Sequence, residues 1–111
     1  MRIALEQRGE AVVLAVRGPL IGEEADRLRK RIAKTLEQGA DPLVLDVSGV
    51  PFLDSQGLEL LVDTTERLIR TGKALRICGA NELLAEVFDL TEVAPMLEQF
   101  GDVEAAVGSA Q

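Results

Sequence analysis

Leu43-Val44-Leu45-Asp46-Val47-Ser48-Gly49-Val50-Pro51-Phe52-Leu53-Asp54-Ser55-Gln56-Gly57-Leu58 decides the fold. It opens as a near-continuous apolar run, the pattern of a strand covered on both faces of a parallel sheet. It then breaks at Gly49 and Pro51. It closes on Asp54-Ser55-Gln56-Gly57, immediately before a long helical pattern. A carboxylate and a hydroxyl therefore stand at a strand-to-helix turn, where backbone N–H groups lack helical partners. A serine there is either a plain cap or an exposed hydroxyl that can accept a phosphoryl group.

The flanks alternate in the same way. Ile3, Leu5 and Gln7 mark a first strand, Arg8-Gly9-Glu10 a turn, and Ala11 to Val16 a second strand buried on both faces. Gly22 to Gln38 reads as a helix, with Ala25, Leu28, Ile32 and Leu36 as its apolar stripe. Glu23, Glu24 and Asp26 suit its positive end, and Gly39 stops it. Gly57 to Arg70 is the second long helix, Lys73 to Cys78 a strand, and Ala80-Asn81 the start of a helix carrying Leu83, Leu84, Val87, Phe88 and Leu90. Val93 to Glu98 is expected as a short edge strand, although it contains Pro95. Asp102 to Val107 is a short terminal helix. The expected fold is α/β: a single domain over residues 1–111, with a mixed, mainly parallel sheet of about five strands and about four helices.

Composition narrows the chemistry. The chain has 111 residues, 47% of them hydrophobic, with three aromatics, all Phe, so the core must be aliphatic. Its net charge of -7 argues against nucleic acid and anionic membranes as partners. No apolar run approaches the ~20 residues of a membrane span, and a charge at Arg2 and Glu6 interrupts any leader-like core, which points to a cytoplasmic protein without membrane insertion. With no His and a single Cys78, expected to be buried and inert, neither a metal site nor a cofactor is indicated. Ser55 has no His or Ser-x-x-Lys base, no Gly-x-Ser-x-Gly elbow and no Walker loop, so no catalytic residue is expected. Phosphoryl acceptance needs none of these, because the kinase supplies base, metal and nucleotide.

On a wheel of about 100° per residue, Leu58, Leu61, Val62, Thr65 and Ile69 form the expected buried stripe of the second long helix. Leu60 then falls on the polar side, with Gln56 and Thr64. It is either one exposed leucine among others or the centre of a contact surface beside Ser55. Gly57 is expected to keep the turn open around the hydroxyl.

The run from Leu43 to Leu58 resembles the signature of STAS domains, the anti-sigma factor antagonist domains also found in sulfate transporters. Gly18-Pro19-Leu20, Leu75-Arg76-Ile77-Cys78-Gly79 and Leu83 to Thr91 resemble further family segments, so the likeness spans essentially the whole chain. It implies that Ser55 is the phosphoacceptor, within a motif of Asp54, Gln56 and Gly57. It also implies that the loop holding Leu20 and Ile21 flanks the partner surface, to which the wheel adds Leu60 and Thr64. Stand-alone members bind a serine-kinase anti-sigma factor and release the sigma factor. Phosphorylation of the serine ends the contact and a metal-dependent serine phosphatase restores it, so the protein would regulate transcription indirectly. Many antagonists carry Ser or Thr where this chain has Gln56, and an acidic residue where it has Ile21. The resemblance also admits a constitutive interaction module supporting a lipid ABC transporter or a larger signalling assembly, with Ser55 a plain cap.

Overall fold

The computed structural model describes residues 1–108. Strands β1 (Arg2–Arg8) and β2 (Ala11–Arg17) form a hairpin, followed by α1 (Gly22–Glu37), β3 (Leu43–Gly49), α2 (Ser55–Arg70), β4 (Arg76–Cys78), α3 (Glu82–Leu90), β5 (Glu98–Phe100) and α4 (Val103–Gly108). The sheet order is β1-β2-β3-β4-β5. β1 runs antiparallel to β2, and β2 through β5 are mutually parallel. This is the mixed, mainly parallel sheet expected from the strand-helix alternation.

Successive parallel strands are neighbours, so right-handed crossovers send α1, α2 and α3 to one face. There Leu14, Leu45 and Ile77 from the strands pack with Leu28, Leu61 and Phe88 from the helices. The alternate strand residues Val13, Val44 and Cys78 turn to the other face and meet Ala106 of α4. Two-sided covering explains why β2 and β3 lack the alternation of half-exposed strands. Burial pushes the Cys78 thiol up to about 11, with the nearby Asp46 and Asp102 carboxylates adding to the effect. A neutral, packed thiol is what its apolar setting led one to expect.

Two expectations are corrected. Val93 to Glu98 is not a strand: Ala94–Met96 forms a 3-10 turn around Pro95, and pairing begins only at Glu98. Proline has no N–H to give a ladder but is favoured at a helical start. The buried face of α2 is also rotated by roughly a quarter turn from the wheel drawn on Leu58. Gly57, Leu60, Leu61, Thr64, Thr65 and Leu68 are the buried residues, and Ile69 is 49% exposed. The helix lies on the sheet with α1 along its flank, joined to it by Arg29 and Asp63 at 2.9 Å, so its buried arc is broader than a single stripe. Threonine tolerates this position because its hydroxyl can turn back onto its own helix: Thr65 donates to the Leu61 carbonyl at 2.7 Å.

The rotation yields a direct test. Leu60→Ala should lower unfolding stability by about 2–5 kcal/mol, as for a fully buried leucine, whereas Ile69→Ala should change it by no more than about 0.5 kcal/mol. Denaturant titration of both variants checks this.

Candidate functional site

The site forms at the carboxyl ends of β2, β3 and β4, where open parallel sheets leave their crevices. Three connecting loops meet there and are pinned by backbone hydrogen bonds. Gly18 N–H donates to the Gly49 carbonyl at 2.9 Å, Leu20 N–H to Phe52 at 3.1 Å, and Asp54 N–H back to Leu20 at 3.3 Å. Leu20 and Leu53 pair as a single parallel bridge. Asn81 adds the third loop: its Nδ2 donates to the Pro51 carbonyl at 3.1 Å, while its Oδ1 caps α3 by accepting from Leu84 N–H at 2.8 Å.

Asp54 organises the turn. Its Oδ1 accepts from Gly57 N–H at 2.9 Å, the usual N-cap bond of α2. Its Oδ2 accepts from Gly22 N–H, the first residue of α1, at 3.1 Å. Ile21, the residue at the cap position of α1, offers no side-chain oxygen, so the α2 carboxylate caps both helices. These bonds stabilise the ionised form. They hold the Asp54 carboxyl below its ordinary value, with the Gly57 amide the largest cause, outweighing the partial desolvation that acts the other way.

Gly57 has a different reason for being glycine than the one expected. It is buried, and a Cβ there would collide with the Leu20 carbonyl oxygen and press on Leu53. Its bare backbone allows α2 to approach the β2–α1 loop closely. It does not act by leaving the hydroxyl uncovered.

Ser55 is the first residue of α2 and is exposed, and its hydroxyl has no protein partner among the described residues. Capping falls to Asp54 alone, which leaves the Ser55 hydroxyl free. Gln56 is exposed beside it. Of the other residues expected to meet a partner, Ile21 is 37% exposed, whereas Leu20, Leu60 and Thr64 are 1%, 0% and 6% exposed and fill the core. Those three cannot offer side chains to a docking protein; Leu20 contributes through its backbone carbonyl and amide. Phe52 was not singled out by its sequence, yet it is 44% exposed and its carbonyl bonds to the residue before Ile21. Its signal was a bulky apolar residue after a proline, in a loop where nothing covers it.

Among the described residues no cluster of His, Cys, Asp or Glu could hold a metal ion. Among the same residues no helix is long and apolar enough to cross a membrane.

The STAS domain family matches residues 2–108. The chain belongs to the STAS domain family. This STAS chain is similar to the anti-sigma-B factor antagonist of Bacillus subtilis, at 25% identity over 107 residues, covering 96% of this chain and 97% of that one. Its fold is that of an anti-sigma factor antagonist from Mycobacterium paratuberculosis, with a TM-score of 0.87 at 22% identity over 97% of this chain and 92% of the other. The Bacillus protein SpoIIAA in its phosphorylated form gives a TM-score of 0.77 at 20% identity, over 99% of this chain and 100% of that one.

The double cap sets a pH dependence. A carboxyl with a depressed folded value contributes stability that is complete above the ordinary aspartate range near 4 and is lost as the pH falls through the folded value. Asp54→Asn keeps an oxygen for one cap but removes the charge. The thermal midpoint of the variant should lie below wild type at pH 7, with the gap closing as the pH falls below about 4. Melting curves across that range check the sign.

Proposed function

We propose that this STAS domain is an anti-sigma factor antagonist. It binds a serine-kinase anti-sigma factor through the end of the molecule around Ser55 and is released when Ser55 is phosphorylated. The observation that carries the reading is the free, exposed Ser55 hydroxyl, held at a rigid helix start whose capping is done entirely by Asp54.

In the proposed step the Ser55 oxygen attacks the γ-phosphorus of kinase-bound ATP. The bond to the β-phosphate oxygen breaks, ADP leaves, and the hydroxyl proton passes to a base on the kinase. The product gains about -1.5 to -2 charges. It sits at the start of α2, which favours an anion, but beside the Asp54 carboxylate, which does not.

Ile21 and Phe52 supply the apolar rim of the same surface. A partner that covers them must also desolvate what lies between them. An uncharged hydroxyl is readily desolvated, whereas an unpaired dianion is not. Release therefore needs no rearrangement of the sheet. A metal-dependent serine phosphatase completes the cycle by hydrolysing the phosphoester. The anti-sigma factor antagonist names of the similar proteins, and the phosphorylated form of SpoIIAA, support this assignment.

The test pairs intact-mass measurement with a binding assay against a serine-kinase anti-sigma factor from the same organism. Wild type should gain one phosphoryl group and lose affinity by about tenfold or more, equivalent to about 1.4 kcal/mol. Ser55→Ala should stay unmodified and bound, Ser55→Glu should bind weakly, and Phe52→Ala should bind weakly while still folded. An unmodified Ser55 in the presence of active kinase would leave the surface a fixed docking site and overturn the switch.

A further inference from the structure

The mean charge conceals a strong segregation. Residues 1–35 carry eight of the 12 Lys and Arg but five of the 19 Asp and Glu, so an acidic protein has a cationic N-terminal third. The fold gathers much of that charge beside β1. Arg27, Lys30, Arg31 and Lys34 recur along one side of α1 and line a concavity with Ile3 of β1. Arg27 and Ile3 also line the adjoining concavity, with Arg2 and Arg17.

These cations are poorly neutralised. Arg27 pairs with Glu24 at 2.8 Å. Arg2, Arg17, Lys30, Arg31 and Lys34 have no acidic partner within ion-pair distance among the described residues. Arg2 and Arg17 stand directly opposite each other in the β1–β2 ladder. Like charges facing across a ladder repel, so this pair is destabilising for the isolated hairpin.

The same groove has an open backbone. β1 is an edge of the sheet and seven residues long, whereas β5 at the other edge has three. Ile3 faces the helix-side core, and alternation puts Leu5, 42% exposed, on that same side. The edge thus combines unpaired strand N–H and C=O groups, an apolar floor and a cationic wall.

We propose that this groove binds an acidic, extended segment of a partner protein, which adds a strand to β1. Backbone pairing supplies affinity; every second side chain falls on the helix side, where glutamates meet Arg31 and Lys34 beside the Ile3 and Leu5 floor, and the others turn to the opposite face of the sheet. A second copy of this chain does not fit, because β1-to-β1 pairing would bring two cationic walls together. The part of the groove formed by Ile3, Leu5, Arg31 and Lys34 lies on β1 and along α1 rather than on the loops around Ser55, and its occupancy does not depend on phosphorylation there.

The test uses a capped synthetic peptide as long as β1, alternating glutamate and valine, titrated into the isotope-labelled protein. The β1 amides should shift on binding, and the affinity should fall steeply with salt. Exchanging the glutamates for glutamine should weaken binding at least about tenfold, as should the Arg31→Glu, Lys34→Glu double variant. Ser55→Glu should leave it unchanged. N-methylation of alternate amides on the probe tests strand addition without altering the protein, and should abolish binding. Unshifted β1 amides, or equal binding by the N-methylated probe, would overturn the proposal. So would stronger binding of phosphatidylserine vesicles or single-stranded RNA than of the peptide, which would assign the cations to a membrane or a nucleic acid.

Discussion

One carboxylate, that of Asp54, receives the first amide of α1 and an amide in the first turn of α2. The rest of the functional end depends on this arrangement. Helix starts carry unsatisfied N–H groups and partial positive charge, and two of them brought together would repel. A shared anion makes their proximity favourable. It also fixes the β2–α1 and β3–α2 loops to each other, so Ile21, Phe52 and Ser55 are displayed in one frame. Gly57 enforces the same closeness sterically, since only a residue without a Cβ fits under the Leu20 carbonyl.

This economy bears on how a modification there could act. The Ser55 oxygen takes no part in holding the fold together, so it can be esterified without undoing a cap. The platform under it is built from fully buried leucines and does not readily bend. A new charge would therefore express itself outward, toward whatever covers the apolar rim. The cationic edge follows a different logic, in which uncompensated like charges and an open strand await a complementary surface. Helix α1 is common to both: Ile21 and Gly22 at its start belong to the Ser55 end, whereas Arg31 and Lys34 farther along it line the groove.

The fold was largely legible because strand burial and helix periodicity are local signals. Leu43 to Val47 could only be a covered strand, and Leu28 and Ile32 could only point inward. Leu60 and Thr64 were misplaced because a wheel fixes relative angles but not the absolute orientation of a helix. That orientation comes from α1 and the sheet, which are remote in sequence. Thr64 added to the error by looking polar. Ser55 and Asp54 were legible as a pair, but the reach of Asp54 to Gly22 was not, since no local pattern links positions so far apart. The cationic groove was hidden by averaging: a net charge of -7 says nothing about where the positive residues collect.

The shared cap is open to direct observation by following the Gly22 and Gly57 amide resonances through an acid titration. If Asp54 bridges both helix starts, the two amides will shift together with a single midpoint, below the ordinary aspartate range. Separate midpoints, or a Gly22 amide indifferent to the titration of Asp54, would contradict the account.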